Sequence, residues 1–207
     1  MQVYRPWLKR PVDVCLSLMV LIAAGPLLLI TWLLVRFRLG SPAFFRQARP
    51  GLDGRPFELL KFRTMTDARD AEGQLLPDAE RLTPFGQALR ATSLDELPEL
   101  INVLRGEMSL VGPRPLLTDY LPLYSDHHAR RHEVRPGITG WAQVNGRNAV
   151  PWNERLDMDV WYVENVSLTL DLRIMFLTAA TLVTRRGISA DNHATMPRFT
   201  GSENCDE

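Results

Sequence analysis

Residues Val14–Val35 read VCLSLMVLIAAGPLLLITWLLV, and this stretch decides the architecture. It carries no ionisable side chain except the thiol of Cys15, and Gly25-Pro26 falls at its centre. As one straight helix the run would reach about 33 Å, enough to span a bilayer's hydrocarbon core. Pro26 has no backbone N–H and its ring crowds the carbonyl of Ile22, so two shorter helices are equally available. Each half, at about 17 Å, does not cross. Arg5, Lys9 and Arg10 precede the run, and Arg36 and Arg38 follow it. Lys and Arg stay on the cytoplasmic side. Only a helix–break–helix that enters and leaves by one face keeps both clusters there. The expectation is a re-entrant hairpin over residues 1–40, broken at Gly25 and Pro26, with a Pro-kinked spanning helix as the alternative. Backbone groups freed at the break need partners that lipid does not supply; Ser17 and Thr31 are nearby candidates. A signal peptide fits poorly, because the apolar run continues beyond its small-residue stretch Ala23-Ala24-Gly25.

Working outward, residues 41–207 read as one cytosolic catalytic domain with a polar tail over 185–207. Acidic and basic residues balance at 24 each, so bulk charge does not draw the chain to nucleic acid. Cys15 and Cys205 give neither a disulfide framework nor zinc spacing, which suits a reducing compartment. His127, His128, His132 and His193 have no metal-ligand spacing and read as surface residues.

The fold class expected is α/β, mostly helical with a small β-hairpin. Strands fall at Ala43–Phe45 and Phe57–Arg63 around a Pro50–Gly54 turn, with Phe57, Leu59, Lys61 and Arg63 on one face. Thr83-Pro84 opens a short helix to about Arg90. A second helix follows Asp95 and ends near Gly106. Gly- and Pro-rich loops come next. Trp152–Val163 reads as helix, and Leu168–Val183 as an amphipathic surface helix.

The chemistry concentrates at Ser93-Leu94-Asp95-Glu96-Leu97-Pro98. One reading is structural: Ser93 and Glu96 as a capping box, or Asp95 as the N-cap that leaves Pro98 in the first turn. The other uses the same place chemically. An ionised Asp at a helix start is a nucleophile toward phosphorus, and a divalent cation beside it offsets the repulsion between anions. Lys61, Arg63, Arg90 and Arg114 are candidates for a diphosphate clamp, Arg114 being stiffened by prolines on both sides; ordinary surface charge is the alternative. Arg135–Arg147 (RPGITGWAQVNGR) is either a base- and phosphate-binding loop, with Gly137, Gln143 and Arg147, or a structural turn with Trp141 in the core.

In order, these blocks are Lys9-Arg10 with the Pro-broken run, Lys61-Phe62-Arg63-Thr64-Met65, Leu89-Arg90 through Pro98, Gly106 through Pro115, the RPGITGWAQVNGR loop, and Asp159 to Asp171. Together, from about residue 5 to 185, they resemble the bacterial sugar transferase family, the small monotopic phosphoglycosyl transferases. The resemblance implies an enzyme of the bacterial inner membrane, at its cytoplasmic face. Asp95 would attack the β-phosphate of a UDP-sugar, release UMP and carry the phospho-sugar. A polyprenyl phosphate would then accept it. Mg²⁺ is expected at Asp95, with Glu96 essential in a role left open. Membrane lipid and other glycan-assembly enzymes are the implied neighbours. The tail Gly187–Gly201 resembles that of small members acting on acetylated deoxyamino sugars. A membrane-anchored scaffold without catalysis, with Asp95 only a cap, is the competing class.

Overall fold

The computed structural model describes residues 4–146, 150–184 and 198–201. A π-helical turn, Tyr4–Leu8, leads into α1 (Lys9–Ala23), which meets α2 (Gly25–Arg38) at 65°. The bend interrupts little of the hydrogen-bond ladder. Ala24 N donates to Val20 O at 2.8 Å, and Leu28 N to Ala24 O at 2.8 Å. Pro26 lies in the first turn of α2, where its missing N–H has no helical partner to lose. Ser17 does not serve the break as expected: its Oγ is buried without a partner, and Thr31 is likewise turned toward the protein. Among the described residues no single helix is long and apolar enough to cross a membrane; α1 and α2 reach that length and composition only as a bent pair.

Burial on this helix pair is inverted. In α1 the buried residues are Lys9, Asp13 and Ser17, one turn apart, while Leu18, Met19, Val20 and Ile22 are exposed. In α2, Leu27, Leu29, Ile30, Leu33, Leu34 and Phe37 are exposed. The polar stripe is bonded to the rest of the chain. Lys9 Nζ and the Tyr4 hydroxyl each donate to Asp171 Oδ2 at 2.6 Å, and Ser109 Oγ donates to Asp13 Oδ2 at 2.8 Å. Soluble helices bury apolar faces; a contiguous exposed apolar surface of this kind marks a face that meets lipid or protein.

The hairpin pairs β1 (Phe44–Pro50) with β2 (Pro56–Phe62) antiparallel, Phe44 opposite Phe62 and Pro50 opposite Pro56. β1 runs longer than the sequence suggested. Both faces of β2 are covered: Leu59 packs on Val103 and Met108, and Phe62 on Val35 and Leu39. A loop with one short helix, α3 (Asp78–Arg81), leads to α4 (Pro84–Ala91). Thr83 Oγ1 accepts from Gly86 N at 3.0 Å, the expected cap. α5 (Glu99–Arg105) ends at Gly106, whose φ of 85° suits glycine.

Two segments read as loops form a parallel pair instead. β3 (Ser109–Val111) pairs with β4 (Gly137–Thr139). The glycines are what permit it: a Cβ on Gly137 would sit 2.1 Å from Gly112 N. Between these strands lie 3₁₀ turns and α6 (Asp126–Ala129). Then come α7 (Trp141–Asn145), α8 (Trp152–Asn165) and α9 (Leu168–Thr184). Trp141 stacks on Trp161 at 4.8 Å between centroids. Val111, Val134, Tyr162, Val163 and Ile174 form the core here, while Leu168, Leu172 and Phe176 of α9 stay exposed. The architecture is mostly helical with small sheets, as expected of an α/β chain with little strand.

Candidate active site

The chain between α4 and α5 is shaped by one residue. Ser93 has φ 54° and ψ 18°, a left-handed conformation uncommon outside glycine. It turns the backbone into a single 3₁₀ turn, Leu94–Glu96. Both capping readings are thereby corrected. Ser93 makes no side-chain cap bond, Asp95 is not an N-cap, and α5 begins only at Glu99, with Pro98 in the cap position. Pro98 then removes no helical hydrogen bond. The pair Asp95-Glu96 projects from the turn ahead of the helix.

The two neighbours differ sharply. Glu96 Oε1 lies 2.6 Å from Lys61 Nζ and 2.6 Å from an Arg114 nitrogen. Burial by itself would raise the pKa of Glu96, but Arg114 and Lys61 outweigh it and hold the carboxyl well below its ordinary range. Arg114 is correspondingly raised, by Glu96 against its own burial. Asp95 is 7% exposed, and among the described residues its side chain forms no hydrogen bond or ion pair. Burial first, then the charge of Glu96, pushes its pKa up to about 6, against the opposing pull of Lys61, Arg90 and Arg114. A third carboxyl, Glu99, is 2% exposed and 3.0 Å from Lys61. Burial, with Glu96 nearby, pushes it up to about 7 despite Lys61.

Two cavities meet at this cluster. The first, about 340 Å³, is lined by Arg49, Lys61, Arg114, Arg155, Tyr120 and Trp152, with Glu99 in its wall. Arg155 lies over the Trp152 ring at 5.3 Å, and burial lowers its pKa to about 10. Arg49 Nε is buried without a partner. The second, about 520 Å³, is largely apolar and reaches from Glu96 and Arg114 to Val20 of α1 and Met175 of α9. Arg114 and Arg155 line both. Asp95 lines neither; its neighbours Ser93 and Glu96 border the second.

The structure sorts the remaining candidates. Arg90 borders the second cavity and donates from Nε to Thr64 Oγ1 at 3.1 Å. Gln143 borders it too; its Nε2 donates to Ile138 O at 3.1 Å, and its Oε1 is buried without a partner. Arg63 is drawn away from the cluster. It binds the Met65 and Ser41 carbonyls and pairs with Asp67, because the chain leaves the strand after Phe62. Gly137 lies in β4 against Gly112, where the close strand approach explains it. Arg147 lies outside the described residues. Sequence reading missed Arg49, Glu99, Tyr120, Trp152 and Arg155. Trp152 and Arg155 had a signal, their i, i+3 spacing at the start of a helix; Arg49 and Tyr120 had none.

A divalent cation suits this donor set in a limited way. The oxygen of Glu96 nearest the cluster is taken by two cations, which leaves Asp95 as the carboxylate without a partner. Mg²⁺ is commonly held by one or two carboxylates together with substrate phosphates, so a single carboxylate fits.

The chain matches the model of the bacterial sugar transferase family over residues 4–185 and belongs to that family. It is 56% identical over 195 residues to an uncharacterized sugar transferase, EpsL, of Bacillus subtilis (strain 168), covering 94% of this chain and 96% of that one. It is 41% identical over 186 residues to a UDP-glucose:undecaprenyl-phosphate glucose-1-phosphate transferase of Caulobacter vibrioides, covering 85% and 70%. It is also 41% identical over 198 residues to an undecaprenyl-phosphate galactose phosphotransferase of Salmonella typhimurium, covering 87% of this chain and 41% of that longer protein. The protein is a transferase, and the scaffold reading falls away.

Proposed function

We propose that the protein transfers a phospho-sugar from a UDP-sugar to a polyprenyl phosphate, through an adduct on Asp95. The observation that carries this is the contrast within the pair: Glu96 is fixed by two cations, while Asp95 beside it has no bond to break before it reacts. With its pKa at about 6, Asp95 is mostly ionised at neutral pH. Its oxygen attacks the sugar-bearing phosphorus of the donor. The bond from that phosphorus to the bridging oxygen breaks, and UMP leaves with the electron pair. A phosphate oxygen of the acceptor then attacks the same phosphorus, and the bond to Asp95 breaks to restore the carboxylate. Mg²⁺ held by Asp95 and the donor phosphates would supply charge neutralisation. Glu96 positions Lys61 and Arg114 where phosphate oxygens gather.

The first cavity suits the donor: cations for the diphosphate, and Tyr120 and Trp152 for a base. The second suits an acceptor with an apolar tail. The inverted helix pair supports a re-entrant hairpin over residues 1–40 at the cytoplasmic face of the bacterial inner membrane, with residues 41–207 as the catalytic domain. Exposed Leu172 and Phe176 of α9 would rest at the lipid interface. Other glycan-assembly enzymes are natural neighbours, since the product is a lipid-linked intermediate.

The test is a single-turnover assay without acceptor, using UDP-glucose, UDP-galactose and acetylated deoxyamino UDP-sugars. Wild type releases UMP with one donor and retains a labelled phospho-sugar. Asp95→Asn loses about 10³-fold or more of that release. Full-rate product formation by Asp95→Asn, or UMP release only when acceptor is present, rejects the adduct.

A further inference from the structure

Away from this site, His127 and His128 of α6 and Asp157 of α8 bring one ligand atom each to within 4.8 Å of one another. His128 Nε2 is 3.0 Å and His127 Nε2 is 3.2 Å from Asp157 Oδ1. Zinc binds imidazole nitrogen and carboxylate oxygen at about 2.0–2.2 Å, so two such donors at a tetrahedral angle stand about 3.3 Å apart. Both His–Asp separations are close to that edge. His128 is buried, whereas His127 and Asp157 are about half exposed, which leaves one side open to solvent. A hydrogen-bonded ion pair needs one imidazole. Here two, adjacent in sequence, converge on a single carboxylate oxygen from another helix.

We propose that His127, His128 and Asp157 form a binding site for a transition metal of the zinc class, with water completing the coordination. Imidazole ligands select such metals, while Mg²⁺ prefers oxygen, so the site is distinct from the one at Asp95. It ties α6 to α8, whose Trp152 and Arg155 line the first cavity. The inference does not depend on the reaction proposed above.

The experiment uses the full chain in detergent micelles, stripped with chelator and kept in excess Mg²⁺. Zn²⁺ is titrated against a chromogenic chelator. Wild type takes up one Zn²⁺ per chain, at least about tenfold more tightly than His127→Ala or Asp157→Asn. Zn²⁺ raises the thermal midpoint of wild type alone. Both altered side chains are exposed, and UMP release with Mg²⁺ and no zinc stays at the wild-type level, which reports intact folding. Equal zinc affinity in wild type and both variants, whether weak or tight, overturns the site. So does a loss smaller than tenfold.

Discussion

The two cavities share Arg114 and Arg155 yet differ in the balance of their linings. The first sets four cations and the rings of Tyr120 and Trp152 among Leu59, Pro115, Leu116 and Leu117. The second is walled mainly by apolar side chains, among them Val20 from α1 and Met175 and Ala179 from α9. A wholly aqueous reaction has no use for the second, and a purely lipid one has no use for the first. Their junction at Arg114 and Arg155 suits a phosphorus that passes from a soluble carrier to a lipid one.

The largest effect expected comes from the cation between them. Lys61 holds Glu96 at 2.6 Å and Glu99 at 3.0 Å, with Glu99 almost fully buried. Lys61→Met leaves the buried Glu99 without its cation beside Glu96, which keeps Arg114, and loss of one partner in such a buried group costs about 3–5 kcal/mol. Denaturant unfolding in micelles measures it. Adding Glu99→Gln to the same chain restores part of the loss; no recovery means that the two carboxylates do not compete for Lys61.

Glu99 alone gives a somewhat smaller effect, and one that depends on pH. Its pKa rises from 4.5 to about 7 on folding, so the folded chain holds more protons than the unfolded one between those values. Stability attributable to this group is therefore greatest below pH 4.5 and is lost as pH rises through 7. Glu99→Gln removes that loss. The variant gains on wild type by about 3 kcal/mol between pH 4.5 and 8, read from paired unfolding curves. Parallel curves would show that Glu99 is ionised throughout.

A crossed pair of variants sharpens the division. Arg49→Ala, in the first cavity, raises the donor KM about tenfold, the value of one charge-assisted hydrogen bond. It leaves transfer from a preformed adduct unchanged. Met175→Asp, in the second, leaves UMP release unchanged and slows lipid-linked product about tenfold, through a charge set among apolar walls. If both variants slow the same half-reaction, the cavities are not separate donor and acceptor sites.

What was legible in the sequence follows the same division. The broken apolar run, the hairpin, the Thr83 cap and the Asp95-Glu96 pair all announce themselves through local chemistry: Pro26, a turn, a cap residue, two adjacent acids. The parallel pairing of β3 with β4 does not. It joins three-residue segments 28 positions apart, from Ser109 to Gly137, and depends on glycines whose backbones touch. Arg63 misled because strand alternation was extended one residue past Phe62, where β2 ends. His127 is exposed, as expected, whereas His128 read as a surface residue and is buried, its partner Asp157 being supplied by a helix far along the chain. The inverted burial of Lys9, Asp13 and Ser17 was present as an i, i+4, i+8 polar stripe within an otherwise apolar context, and it needed the folded chain to show which side faced inward.

The smallest effect tests how the turn at the junction is held. Ser93 sits at φ 54°, a conformation that costs a non-glycine residue about 1 kcal/mol, and it borders the second cavity just ahead of Asp95. Ser93→Gly relieves that strain but loosens the unfolded chain, so the net gain in stability is about 0.5 kcal/mol. If the left-handed turn only steers the backbone, UMP release by Ser93→Gly stays at the wild-type level. If the serine also fixes where Asp95 points, the glycine's freedom lowers the rate of adduct formation while stability rises. Ser93→Ala separates the two contributions, since alanine keeps the strain and lacks the hydroxyl. A rate lost in the glycine variant but kept in the alanine variant would assign the role to backbone restraint, and a rate lost in both would assign it to the Ser93 hydroxyl.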